Sequence, residues 1–415
     1  MNKLLVIGII FLALFLLSIN LGKPFIGQHD WNGVVYGQQA KNFVRFGYLP
    51  LKFGATLATA DIRPEERKYS THYTPVLPIL ISFSYRLFGI YEWSTRLVPV
   101  MASSASVLLV ILLGRELISF RAGIIAGVLM AVTPMFVYYG KNPVHEVVLL
   151  PFVLLSYYSY YRFIKIKKNK WWIILLLSLA GSMLVGWPGY YAAGLIFFHG
   201  ILFRREGKIR FMQLPLIAAT LLIIFFFHSS ILNPQAAGDL QNIFFSRLGG
   251  TSIGPIDFLT KELRYSINLF SISLLSLPAI WILFVIPGLT RNLHKENTIL
   301  LLLGIFGLSH VLIFRQAGYY HEYLLFPLLP FIALASAVTV ENLLTIFHGL
   351  TIKILIAGFI IFFAAKERLA YLQTLLTSEY VRPVYEDALG YKSGRQVLFP
   401  QLDNDNRIYF DFYAD

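Results

Sequence analysis

The chain has 415 residues, of which 57% are hydrophobic and 14% are Asp, Glu, Lys or Arg, and its mean hydropathy is +0.65. Soluble domains carry roughly 25% charged residues, so this composition excludes an ordinary water-soluble globular protein and makes lipid the main solvent. The formal charge of +13 sits in short loops between apolar runs, the pattern that orients membrane helices rather than one that binds nucleic acid, and the absence of cysteine excludes disulfide and thiolate chemistry.

Met1-Asn2-Lys3 precede an apolar run to Ile19 with no small-residue cleavage site after it, so this run is expected to stay as a first span. Membrane helices need about 17–25 apolar residues. Segments that meet or approach this lie at 4–21, 96–115, 122–140, 147–164, 171–187, 189–203, 211–228, 268–288, 297–314, 323–342 and 350–365, the sixth being short. One further apolar segment, Pro75 to Ile90, carries Pro75, Pro78 and Arg86 and is expected to lie at the interface without crossing. Only then do Arg115 and Arg121, the run Lys165–Lys170, Arg204–Arg210 and Arg291 with Lys295 share the side of Lys3, as inside-facing positive charge requires.

The expected fold is therefore an all-α polytopic membrane protein of about 11 transmembrane helices, N-terminus inside and C-terminus outside, in the plasma (inner) membrane. Residues 1–365 make the transmembrane domain, with a first outer loop over 22–95, and residues 366–415 a small extracytoplasmic segment. In that segment Lys366 to Tyr380 has helical spacing, whereas residues after Val397, including Arg407-Ile408-Tyr409-Phe410-Asp411-Phe412, read as a strand and imply a small α/β tail.

This parity places four polar stretches outside: Gln28–Asn32 with Ser70–Pro75 in the first loop, then Gly140–Glu146, 228–268 and Arg315–Tyr323. His29, His72, His145, His228 and His321 lie in or beside them, as expected of a site assembled from several loops. Ionisable groups pressed against membrane spans are costly and often functional, although a loop residue at headgroup level is solvated at little cost. The inner loops carry mainly Lys and Arg, suited to anionic lipid. No phosphate-cradling Gly-rich loop occurs, so nucleotide hydrolysis is not expected, and a transferase acting outside would draw on a lipid-anchored donor.

These residues resemble the GT-C glycosyltransferase superfamily, in particular its protein-mannosyltransferase-like and aminoarabinose-transferase-like branch. Asp30 in His29-Asp30-Trp31 stands where that branch has an acid early in the first outer loop, and Tyr36, Ala40 and Gly47 follow with the spacing of its interfacial helix. Trp31 replaces the second acid common there. His72-Tyr73-Thr74-Pro75 is similar to the family's His/Glu-x-Pro-Pro segment with Thr74 for the first proline, and an interfacial helix follows it in the family. Leu87-Phe88-Gly89, Glu92-Trp93 and Arg96-Leu97 match the approach to the second span. Lys141 to Glu146 resembles an outer Arg-(four residues)-Asp element with both residue types changed, and Tyr319-Tyr320-His321-Glu322-Tyr323 through Pro330 the aromatic entry to a late span. The resemblance covers roughly residues 20–165 and 315–337.

The resemblance implies a polyprenyl-phosphate sugar donor and transfer, with inversion, to an acceptor hydroxyl on a lipid, glycan or protein. Asp30 is expected to be the general base, a role worth about 10²–10⁴-fold, or else the N-cap of the following helix. Lys141, Arg315 and Arg96 are candidates to stabilise the leaving phosphate, with snorkelling from a span end as the other account of Arg96. His29, His72, His145, Glu146, Tyr320 and His321 are expected to bind donor or acceptor. The one cofactor the residues suggest is a divalent metal, which, if used, would take His72, Glu146 and His321, since imidazole and carboxylate together suit zinc or manganese. Trp31, Trp187 and Tyr190-Tyr191 line the sugar or lipid path or form an interfacial aromatic belt. The competing function is a transporter, flippase or polymerase for lipid-linked glycans, but a transporter would show repeated halves and ionisable groups at the midplane, and neither is visible.

Overall fold

The computed structural model describes residues 3–60, 62–203, 208–249, 253–289, 295–347, 349–394 and 403–415. A first apolar helix, α1 (Lys3–Ser18), leads into a loop that carries α2 (Trp31–Phe46), a two-stranded antiparallel sheet of β1 (Ala55–Thr56) and β2 (Tyr69–Ser70), and α3 (Val76–Phe88). Next come α4 (Glu92–Leu117), α5 (Phe120–Val132) with a wide turn over Met135–Tyr139, α6 (His145–Ile166), α7 (Asn169–Val185) and α8 (Pro188–Phe203). Then follow α9 (Lys208–Phe211), α10 (Gln213–Leu232), α11 (Ala236–Leu248), α12 (Pro255–Phe270), α13 (Ile272–Leu289), α14 (Lys295–Ile313) and α15 (Arg315–Tyr320). A 3₁₀ stretch, Glu322–Leu328, opens α16 (Leu329–Ile346), and α17 (Leu350–Lys366), α18 (Leu369–Thr377), α19 (Arg382–Lys392) and α20 (Asn404–Ala414) complete the chain.

Every one of the eleven apolar segments expected from the sequence coincides with a helix. By length and composition, four described helices can cross a bilayer alone: Glu92–Leu117, His145–Ile166, Lys208–Leu232 and Glu322–Ile346. Pro255–Phe270 and Ile272–Leu283 form a pair bent by 109°, a fifth if it is one broken span. The bend falls at Ser271, whose φ of 70° breaks the helix, and Glu367 accepts hydrogen bonds from the freed Ile272 and Ser273 N–H groups at 3.0 Å each. The other apolar helices, with α14 counted from Thr298, have 10–17 residues. α3, the segment read as interfacial, has 13 residues and so spans about 20 Å, short of a bilayer core of about 30 Å.

α6 and α16 lie at the centre, their inward faces filled by Tyr157, Tyr160, Leu154, Phe331 and Leu334, while α10 presents Ile223, Ile224 and Phe227 outward. α4 and α5 approach so closely that a Cβ on Gly114 would lie 2.7 Å from the Gly123 Cα, and one on Gly123 2.5 Å from the Ile111 carbonyl oxygen. Only glycine at both positions allows this contact.

The basic ends of the helices gather. Glu116 pairs with Arg115 at 3.2 Å, Arg162 at 2.9 Å and Lys165 at 3.7 Å, which ties the end of α4 to the end of α6, and Arg210 donates to the Asn169 side chain at 2.9 Å. These loops are the ones expected to share an inner face. Arg204, Arg205 and Arg291 lie outside the described residues.

The C-terminal segment corrects the expected α/β tail. Among its described residues it is helical: the alternation of Ile408, Phe410 and Phe412 that read as a strand belongs to α20, which buries Tyr409, Phe410, Phe412 and Tyr413 at helical spacing. The Asp403 side chain caps this helix by accepting from the Asn406 N–H at 2.8 Å, and Arg407 pairs with Asp411 one turn on. Residues 397–402 of the predicted strand are outside the described residues.

Replacing Gly123 by leucine should wedge α4 from α5 and cost about 1–3 kcal/mol. A clear drop in the thermal unfolding midpoint of the detergent-solubilised protein is the expected result; an unchanged midpoint would contradict the close packing.

Candidate functional site

The first loop turns sharply before α2. His29 has φ of 57°, a left-handed conformation that costs a β-carbon residue about 1–2 kcal/mol, and its neighbours hold it there. The Tyr138 hydroxyl donates to the Gln28 carbonyl at 2.7 Å, and the Asn142 and Asn32 amides donate to the His29 carbonyl at 3.2 and 3.1 Å. On the far side, buried Arg96 donates to the Leu21 carbonyl at 2.9 Å, to the Lys23 carbonyl, and to Asp30 Oδ1 at 3.4 Å, with its guanidinium 4.3 Å from the centre of the Phe25 ring.

This turn separates two cavities. The larger, of about 550 Å³, is lined by His29, His72, His145, Glu146 and His321, five of the residues named from the sequence. Their elements are distant in the chain: the first loop, the segment after β2, the start of α6 and the link from α15 to the 3₁₀ stretch. The rings pack edge and face. His29 stands 5.7 Å from His321 and 5.2 Å from Tyr323, and Tyr73 stacks on His145 at 4.0 Å. His145 fixes its orientation by placing Nδ1 2.6 Å from the Val185 carbonyl oxygen, and its Nε2 is buried without a partner. The 72–74 segment is fastened to the α7–α8 turn, since the Trp187 indole donates to the His72 carbonyl at 2.9 Å and Thr74 donates to the Leu184 carbonyl.

Burial pushes the His29 imidazole down to about 3, with His321 adding to the effect. It likewise takes His72 and His321 down to about 4, with the positive charge of Arg247 as the second cause for each. These rings are neutral donors and acceptors at physiological pH.

Arg247, on α11, is the one Lys or Arg on the wall of this cavity among the described residues, and it donates to the Tyr73 hydroxyl at 3.2 Å. The sequence reading passed it over. It lies in the 228–268 stretch counted as outer, but nothing local separates it from Lys261 and Arg264 there.

The smaller cavity, about 20 Å³ or roughly one water, is lined by three more of the charged candidates, Asp30, Arg96 and Lys141, with Lys23. Asp30 precedes α2, but its side chain makes no cap bond to that helix; it turns back and accepts from the Gly27 N–H at 2.8 Å. Lys141 donates to the Ile19 carbonyl, and burial holds its amine down to about 7, helped by Arg96 and opposed by Asp30. Arg96 is a buried clamp and not a snorkelling side chain.

Two candidates fall outside both cavities. Arg315 is half-buried at the start of α15, and Tyr320 is exposed; the cavity is lined from this stretch by Ala317, His321, Tyr323 and Leu324 instead. His228 is spent on the Lys52 carbonyl at 2.8 Å. Trp31 lines the larger cavity, Trp187 and Tyr190 line an apolar slot beside Tyr73 with Phe225, and Tyr191 packs near His310. His72, Glu146 and His321 share the cavity wall, but among the described residues no three His, Asp or Glu side chains converge enough to hold one ion.

The mostly helical bundle, with helices and a small sheet in its first loop and a polar cavity beside that loop, is similar in fold to solved glycosyltransferases of the kind the resemblance implied. Residues 72–231 match the family model described as dolichyl-phosphate-mannose-protein mannosyltransferase. ArnT from Cupriavidus metallidurans bound to undecaprenyl phosphate superposes with a TM-score of 0.69 at 14% identity, over 100% of this chain and 85% of that one, and its apo form with 0.65 at 13%, over 99% and 84%. The oligosaccharyltransferase AglB from Archaeoglobus fulgidus, in complex with an inhibitory peptide and a dolichol-phosphate, gives 0.60 at 15% over 100% of this chain and 60% of its own length. A search of curated proteins gives no match.

The depressed histidines set a pH dependence. The unfolded chain takes up protons near pH 6.5, whereas the folded one leaves His29, His72 and His321 neutral until about pH 3–4. Stability should thus fall as pH drops through that window. Thermal unfolding at pH 7.5 and 4.5 should show a large acid loss that is smaller in His29→Asn; equal acid losses in the two proteins would contradict the burial of a neutral imidazole.

Proposed function

We propose that this protein transfers a sugar from a polyprenyl-phosphate donor to an acceptor hydroxyl, with inversion, at the extracytoplasmic face of the membrane. The observation that carries the reading is the single cavity of about 550 Å³ in which four histidines, Glu146 and Arg247 from distant segments meet within a GT-C fold. Support for the donor class comes from the solved relatives, described with undecaprenyl phosphate and with a dolichol-phosphate.

In the proposed reaction the acceptor oxygen attacks the anomeric carbon from the face opposite the phosphate, the bond from that carbon to the phosphate oxygen breaks, and lipid phosphate departs. Arg247 is the cation placed for that phosphate, and its planar fork suits two oxygens at once. Stabilising such developing charge is usually the largest catalytic contribution. The neutral histidines hold sugar hydroxyls. The aromatic wall of Tyr73, Trp187, Tyr190 and Phe225, next to the outward apolar face of α10, is the side on which the prenyl chain would rest against the protein.

Two carboxylates are candidates to take the acceptor proton. Glu146 is buried on the cavity wall and is our first assignment. Asp30, the base expected from the sequence, stands behind the His29 turn with Arg96 and Lys141. Its contact with Arg96 is long, 3.4 Å, and catalytic hydrogen bonds often tighten only with substrate bound, which keeps it as the second assignment.

The test is donor consumption in membranes supplied with a panel of radiolabelled polyprenyl-phosphate sugars. Arg247→Ala should lower turnover by about 10²–10³-fold. Glu146→Gln should lower kcat by about 10²-fold or more with little change in donor KM, and Asp30→Asn less. A larger kcat loss in Asp30→Asn returns the base role to that residue. Turnover in Arg247→Ala equal to wild type, or no consumption of any donor, contradicts the proposal.

A further inference from the structure

Part of the large cavity's wall comes from the C-terminal segment, and its chemistry bears on the acceptor; the inference rests on the transferase reading above. α20 is anchored through its second half. Phe412 lies so close to α2 that a Cβ on Gly37 would sit 2.9 Å from its ring, and Lys41 stands 5.8 Å from the ring centre. The Phe25 N–H donates to the Tyr413 hydroxyl at 2.7 Å, and Asp415 pairs with Arg45 at 2.6 Å. With that end fixed, the first half of α20 borders the cavity with Asp403, Asp405, Asn406 and Tyr409.

Asp403 uses one oxygen to cap the helix and keeps the other, and Asp405 is exposed. On α2, Trp31 lines the same cavity with 36% of its surface exposed. His145, only 2% exposed, adds a ring nitrogen without a partner. Carboxylates and an amide accept from and donate to neighbouring hydroxyls, and an exposed indole offers its face to the C–H side of a sugar ring. Two carboxylates at the same wall repel an anionic acceptor.

We infer that α20 is an acceptor-recognition element, and that the acceptor hydroxyl belongs to a neutral carbohydrate held by Asp403, Asp405 and Trp31. Lipid-phosphate chemistry stays with Arg247, on a different element, so acceptor and donor recognition are separable.

The test is a binding titration of the full chain in detergent with neutral gluco-, manno- and galacto-oligosaccharides, read by intrinsic tryptophan fluorescence. At least one series should give a saturable change that Trp31→Phe abolishes and the double variant D403N/D405N shifts to a Kd about tenfold or more higher. Donor hydrolysis by water, measured separately in membranes, should stay within about twofold in D403N/D405N while transfer to the glycan falls at least about tenfold. Binding of the same strength in the double variant, no saturable change with any series, or a tail-dependent response to a lysine-rich peptide in place of the glycans overturns the inference. Glycan binding with no donor consumption would count against the transferase reading alone.

Discussion

Arg96 is the interaction on which the site depends. It enters from the second long helix and spends its donors on two carbonyls of the loop leaving α1 and on the carboxylate that precedes α2, with an aromatic ring against its face. A guanidinium is suited to this because it remains charged when buried and offers five donors in a fixed plane. The loop it holds has no helix or sheet of its own between Ser18 and Trp31, so where α2 begins is fixed by side-chain contacts, of which the Arg96 clamp alone reaches both ends of the loop.

The consequence is a division of labour across one residue. His29 and Asp30 are adjacent, yet the left-handed backbone at His29 lets the first line the large cavity and the second face a small cationic one. Three cations around a single carboxylate would be unfavourable in isolation. Two of them are satisfied by loop and helix-end carbonyls: Lys141 on Ile19, and Lys23 on Leu376 and Ser378. The same contacts bind the C-terminal segment to the first loop, and α20 reaches round to complete the cavity. Chemistry, loop anchoring and tail docking are thus one connected arrangement rather than three.

Much of this was legible in the residues. Apolar runs located the helices because a helix facing lipid or a packed core must be apolar over most of its surface. Parity of positive charge grouped the polar loops, and Glu116 joins two of the ends so grouped. Histidines 29, 72, 145 and 321 could be gathered without coordinates because the parity of positive charge assigns their four loops to one side, and the cavity brings all four together. What could not be read depended on side-chain direction. Asp30 and Lys141 belong to the right loops but face the other cavity; Arg315 begins a short helix that leads its neighbour inward instead. Arg247 has no motif around it and gains its place from the packing of α11. The tail was misread because its aromatic residues alternate locally like a strand, while burial by α2 and α19 selects the helix.

The central claim is that segments far apart in sequence meet in one cavity at one membrane face, opposite the basic loops. The native chain has no cysteine, so single-cysteine variants report position without background. Ser70→Cys and Asp405→Cys, at the cavity, and Arg121→Cys and Lys167→Cys, at the basic end, can be treated in intact cells with a membrane-impermeant maleimide. Labelling of the first pair from outside, and of the second pair only after permeabilisation, is the predicted result. Labelling of Ser70→Cys and Asp405→Cys from opposite faces would contradict the account.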